Sequence, residues 1–151
     1  MSNGNNFLQS INAFVDKTKA NNELVVKKSC IEILQDIIRM SPVGQPELWQ
    51  GYAPKGYVGG RFRGNWQVSF DAPATGELDR IDPTGVETLK AGIEQIGQYT
   101  YANQSVYFTN NLPYSVKLEF GHSKQAPNGI VRVATLNAQA HFVNVTNGGD
   151  N

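Results

Sequence analysis

Phe7, Leu8, Ile11, Phe14 and Val15 recur at the spacing of one apolar helix face. They follow an Asn-rich start that can cap a helix. Ala20–Asn22 predicts a break. From Glu23 to Met40 the helical pattern is strongest: Leu24, Lys27, Ile31, Leu34 and Ile38 mark one face, widened by Ile33 and Ile37. Ser41-Pro42 ends it, because a residue before proline avoids the helical region and proline has no N–H to donate. Asn65 to Phe70 alternates polar and apolar, which predicts a half-buried strand. Asp71 to Pro83 is turn-rich. Val86, Leu89, Ile93 and Ile96 predict a further helix, and Ser105 to Thr109 a second strand. Tyr114 to Phe120 suits a strand or a short helix, with Pro113 favouring helix and Gly121 stopping it. Ile130 to Phe142 is a last helical candidate, and residues 144–151 read as a flexible tail. The expected fold class is α+β: one domain, 1–151, with a small antiparallel sheet, three to four helices and a long N-terminal helix.

Residues 41–63 break the pattern. They hold three prolines, no periodicity, and Trp49, Tyr52, Tyr57 and Phe62, which linkers normally lack. The expectation is an extended arm, ordered by itself or by a partner.

Composition narrows the function. Leu, Ile, Val and Phe together make about a quarter of the 151 residues, above the range of disordered chains. Charge is sparse at 17% and balances, 13 basic against 13 acidic residues, whereas nucleic-acid binders usually carry a basic excess. The single cysteine, Cys30, excludes an internal disulfide framework and reads as a small buried hydrophobe. MSNGNNFLQS has neither a basic region nor an apolar core, so no signal peptide is expected, and no stretch approaches a membrane span.

Candidate chemistry is thin. His122 and Glu119 would give a metal two ligands and no third, which reads better as a surface pair. His122 and Ser123 are adjacent, and adjacent side chains rarely face one another; no nucleophile elbow surrounds them. Cys30 with His141 could form a thiol nucleophile and base on paper. No phosphate-binding loop is present: Gly59-Gly60-Arg61 lacks both the preceding strand and the following Lys-Ser/Thr. The inventory predicts no enzyme, cofactor or metal. The arm is the richer feature. Lys55, Arg61 and Arg63 stand among Trp49, Tyr52, Tyr57, Phe62 and Trp66. That mixture suits a protein interface, a loop folded back on the core, or a grip on single-stranded nucleic acid. The neutral net charge ranks the last lowest.

Two segments carry a resemblance. One is Ser41-Pro42-Val43-Gly44, followed by Gly60-Arg61-Phe62-Arg63-Gly64-Asn65-Trp66. The other runs Asn110-Asn111-Leu112-Pro113-Tyr114 through Leu118-Glu119-Phe120-Gly121-His122-Ser123-Lys124-Gln125-Ala126-Pro127 to Gly129. Together, over roughly residues 23–143, they resemble the neck and tail-completion proteins of long-tailed bacteriophages, the head–tail connector or minor tail components. The stretch Gln45 to Gly59 is longer and more aromatic than in the shortest members.

The resemblance implies a structural virion protein assembled in a host cytoplasm as a homo-oligomeric ring of six or twelve copies. Its partners would be a head-side adaptor or portal-side protein and a tail terminator or tail tube protein. Genomic DNA would pass through the lumen without sequence-specific binding, and no membrane is involved. A tail terminator capping the tail tube is the neighbouring alternative. A head-to-tail ring needs two unlike complementary patches. The arm (Trp49, Tyr52, Tyr57, Arg61, Phe62, Arg63) and the 121–129 loop (His122, Ser123, Lys124, Gln125) are the expected pair.

Overall fold

The computed structural model describes residues 2–45, 55–121, 123–134 and 136–138, with side chains from residue 6 onward. The fold is α+β: a long N-terminal helix, several short helices and a two-stranded antiparallel sheet. Helix α1 runs Ser2–Met40, 39 residues and about 58 Å at 1.5 Å per residue. The expected break at Ala20–Asn22 does not occur. Asn21 and Asn22 are poor helix formers, but neither breaks a helix outright as Pro does. Tertiary contacts also hold the turn: Lys19 lies 4.3 Å from the centre of the Tyr101 ring, and Glu23 accepts the Tyr101 N–H at 2.9 Å.

The second half of α1 organises two cores. Cys30, Leu34 and Ile38 pack with Ile96 of α3 (Val86–Gly97), joined by Val68, Leu89 and Val106. Ile37 lies beside that row and joins Phe62, Trp66, Leu112, Ala126, Ile130 and Ala134. Phe108 touches both clusters. Spacings of four and three on one helix thus bury two adjacent stripes. Leu24, expected on this face, is half exposed.

Strands β1 (Gln67–Phe70) and β2 (Val106–Thr109) pair antiparallel with Val68 opposite Phe108 and Phe70 opposite Val106. A two-stranded sheet is marginal alone. Here Val68, Val106 and Phe108 rest on the α1–α3 core. Asp71 takes a left-handed turn (φ 64°) beyond β1, and its carboxylate accepts N–H groups from Gln104 and Ser105, which bridges the sheet's end. Two short helices complete the body: α2 (Arg61–Gly64) and α4 (Ser115–Glu119). Residues 131–134 and 136–138 are also helical. The rest of the expected last helix, and the tail 144–151, lie outside the described residues.

The N-terminal part of α1 lies open. Every side chain from Asn6 to Thr18 is exposed.

Candidate assembly surface

The segments that carry the resemblance meet at one place. Ser41, 1% exposed, donates its hydroxyl to the Ile37 carbonyl at 2.7 Å and accepts the Trp66 indole N–H at 2.7 Å. Its carbonyl accepts two guanidinium N–H groups of Arg63, at 2.8 and 3.2 Å, and Arg63 also donates to the Pro83 carbonyl at 2.6 Å. Val43 is clamped at both backbone groups by the Gln125 amide: its N–H donates to Oε1 at 3.0 Å and its carbonyl accepts from Nε2 at 2.8 Å. Asn110 donates to the Phe62 carbonyl at 2.9 Å, while its side-chain oxygen accepts from Leu112 N–H and Ser115 hydroxyl. Three sets of hydrogen bonds, one of them spanning 82 positions, thus tie the resembling segments together as a node.

Glu119 closes the 121–129 loop from behind. Its carboxylate accepts the backbone N–H groups of Ile130, Val131 and Arg132 at 2.8 to 2.9 Å, satisfying donors at the start of the helical residues. Burial by itself would raise the Glu119 pKa, but those three N–H groups and the Arg132 guanidinium outweigh it and hold the carboxyl below its ordinary range. Glu119 is thereby committed to the backbone and to Arg132. His122, its expected metal co-ligand, lies outside the described residues.

Over this node opens a groove of about 710 Å³. Val43, Gly44, Tyr57, Arg61 and Phe62 line it together with Tyr114, Leu118, Ser123, Lys124 and Gln125. Tyr114, the residue that caps the start of α4, and Leu118 are four residues apart and so lie on one side. Leu118 also packs on the core below, and the Tyr114 ring lies 6.1 Å from that of Phe62. Burial raises the Tyr114 phenol pKa, which keeps its hydroxyl protonated. Arg61 reaches Glu77 at 2.8 Å, both largely exposed. Lys124 is exposed at the rim.

Several expected interface residues sit differently. Trp49, Tyr52 and His122 lie outside the described residues. Phe62 is a core side chain at 5% exposure, packed edge-on against Trp66, so it offers a neighbour little more than its rim. Arg63 lies away from the groove. Burial lowers its pKa, the nearby Asp82 carboxylate offsets part of that, and its N–H groups are spent on carbonyls of this chain. The arm is accordingly shorter than 41–63: its ends fold onto the body at Val43 and at α2. The described ends of the arm and residues 123–125 of the loop, expected to belong to two separate patches, line one groove. Phe120 is 66% exposed and lies under the Arg132 guanidinium.

Sequence reasoning missed Tyr114, Leu118 and Glu77 as parts of this surface. The four-residue spacing of Tyr114 and Leu118 was a usable signal; nothing in the sequence pairs Glu77 with Arg61.

Other chemistry finds little support. Among the described residues no three His, Cys, Asp or Glu side chains gather closely enough for a metal ion. Burial pushes the Cys30 thiol up to about 11, so it stays protonated near neutrality, the wrong state for a nucleophile. No described helix is long and apolar enough to cross a membrane. Compared with family models, with curated proteins and with solved structures, the chain matches none.

Proposed function

We propose that this chain is a structural subunit of a tailed bacteriophage virion, a neck or tail-completion component that forms a ring at the head–tail junction. What carries the reading is the convergence of the resembling segments. Ser41 bonds to Arg63 and Trp66, Val43 to Gln125, and Asn110 to Phe62, so these residues spend their polar groups on building the scaffold. A motif whose residues are used in architecture rather than exposed as reactive groups suits a protein that works by assembling. The groove above the scaffold, apolar within and with Lys124 at its rim, has the chemistry of a protein interface.

The head-side adaptor or portal-side protein and the tail terminator or tail tube protein are the proposed neighbours, with DNA passing through the lumen. Single-stranded nucleic-acid binding loses ground: Arg63 faces inward and Arg61 is paired with Glu77, which leaves the arm few cations for phosphates.

The test is mass photometry with negative-stain imaging of the purified chain over a concentration series. Closed rings with an open lumen are expected. Open filaments, or monomers up to the highest concentration that bind neither a portal-side ring nor a tail tube, would remove the reading.

A further inference from the structure

The N-terminal part of α1 stands open up to Thr18. From Asn6 to Thr18 every side chain is exposed, including Phe7 at 66%, Leu8 at 58% and Phe14 at 70%. Phe7, Ile11 and Phe14 are spaced four and three apart, the seam along which two helices pack, and Leu8 and Val15 flank that seam on one side. We infer that this stripe is a self-association surface: it packs against the same stripe of a second copy of this chain.

Three observations favour a second copy over other occupants. The first is area. A phenylalanine carries about 150–250 Å², so the five side chains together leave on the order of 500 Å² of apolar surface in water. Two such stripes face to face would bury about 1,000 Å², close to the lower bound for a specific interface. One stripe is as large as the largest apolar patch of a typical monomer, and patches of that size often mark an interaction site.

The second is charge. Residues 2–18 contain one acid, Asp16, and one base, Lys17. A neutral surface can meet its own copy without repulsion. Helices that lie on anionic membranes instead carry a Lys- and Arg-rich polar face, and this one is lined by Asn, Gln and Ser.

The third is helix stability. A segment of about seventeen residues containing Gly4 and four asparagines is a weak helix in water without tertiary support. The hydroxyls of Ser10 and Thr18 bond back to carbonyls four residues earlier, a contact that does not strengthen a helix. Burial of the stripe supplies what propensity does not.

The inference does not rest on the junction reading. A chain that pairs through α1 but never closes into a ring would uphold this surface and remove that function; a ring that forms with the stripe destroyed would do the reverse.

The experiment uses the full chain. Sedimentation velocity compares wild type with Phe7→Ser/Phe14→Ser, both positions exposed and outside either core. In parallel, Ile11→Cys and Gln9→Cys are oxidised under mild conditions, with buried Cys30 left in place. Ile11 sits mid-stripe, so copies aligned in either direction bring it close to its counterpart; Gln9 is on the opposite face. The expected result is an associated wild type, a double variant shifted to monomer with reduced helical signal and an unchanged core melt, and an Ile11→Cys bridge forming at least tenfold faster than the Gln9→Cys bridge. Unchanged mass in the double variant overturns the inference. So does a drop in mass without preferential Ile11 bridging, which would put the stripe in the neighbour's groove. A wild-type monomer that binds phosphatidylglycerol vesicles through the stripe would overturn it in favour of lipid.

Discussion

Ser41 stands where helix, arm and sheet meet, and its hydroxyl serves two of them at once. It gives its proton to Ile37 and receives that of the Trp66 indole, both at 2.7 Å and both out of water. Ser41→Ala removes the acceptor and leaves a buried N–H unpaired, which costs about 1–3 kcal/mol. In Trp66→Phe the donor is gone and the serine keeps its bond to Ile37. The double variant leaves no indole N–H stranded, so its loss in urea unfolding should fall short of the sum of the single losses by roughly 0.5–1.5 kcal/mol. Additive losses would mean that the bond contributes little. Gly60 is held as tightly by geometry. Its φ is +116°, and a Cβ there would lie 2.5 Å from the Pro83 nitrogen. Gly60→Ala should lower the melting temperature by several degrees, in line with about 1–3 kcal/mol of backbone strain plus the clash. At this scale the sequence was least legible. Arg63 looked like an interface cation because its neighbours in the chain are aromatic. Its true partners are the carbonyls of Ser41 and Pro83, whose positions exist only once the chain has folded.

Elements follow simpler rules, and most of them could be read from periodicity. The strands at 67–70 and 106–109, the helix at 86–97 and the stop at Ser41-Pro42 all lie within the expected segments. The break at Ala20–Asn22 was wrong because a contact with Tyr101, 78 positions from Glu23, overrides a local weakness. Helix α3 has a cap that spacing alone does not reveal. Asp82 accepts Gly85 N–H at 3.1 Å, Thr88 N–H at 2.8 Å and the Thr88 hydroxyl at 2.7 Å. Burial would raise the Asp82 pKa, yet the bonds from Thr88, Gly85 and Thr84 outweigh it and hold the carboxyl below its usual value; Glu119 is held down in the same manner. A carboxyl with a lower pKa folded than unfolded binds fewer protons in the folded state. Its contribution is complete above the unfolded value near 4 and drains away as pH falls through the folded one. The protein should therefore lose stability steeply below about pH 4. Asp82→Asn should be less stable near neutrality by about 1–2 kcal/mol, the range for a lost helix cap. Its decline with acid should also be shallower, because one linked proton is missing. Parallel stability curves for the two proteins between pH 7 and 3 would remove Asp82 from that account.

Among the described residues two uncovered surfaces matter here, and they arise from opposite features of the sequence. The stripe on α1 is periodic and was visible as a helix face, but nothing in a sequence says whether a periodic face meets its own core or another chain. The groove is aperiodic. It became legible only in part, through the aromatic arm and the polar loop, since it depends on Gln125 drawing residues 123–125 against Val43. That dependence lets the two contributions of the groove, to folding and to assembly, be separated. Gln125→Ala breaks the clamp and should lower both thermal stability and ring yield. Lys124→Glu changes only the rim: the side chain is exposed, makes no ion pair among those described, and stands outside both cores. Surface substitutions of this kind usually shift stability by less than about 0.5 kcal/mol, so the melting curve should overlay that of wild type. If the groove is where a neighbour docks, reversing a charge at its edge should slow association and raise the concentration at which rings appear in mass photometry about tenfold, with an altered salt dependence. Stable protein with unchanged ring formation would place the docking surface elsewhere. Loss of stability from Lys124→Glu would instead tie the rim to the fold, leaving the α1 stripe as the described surface still to be tested for docking.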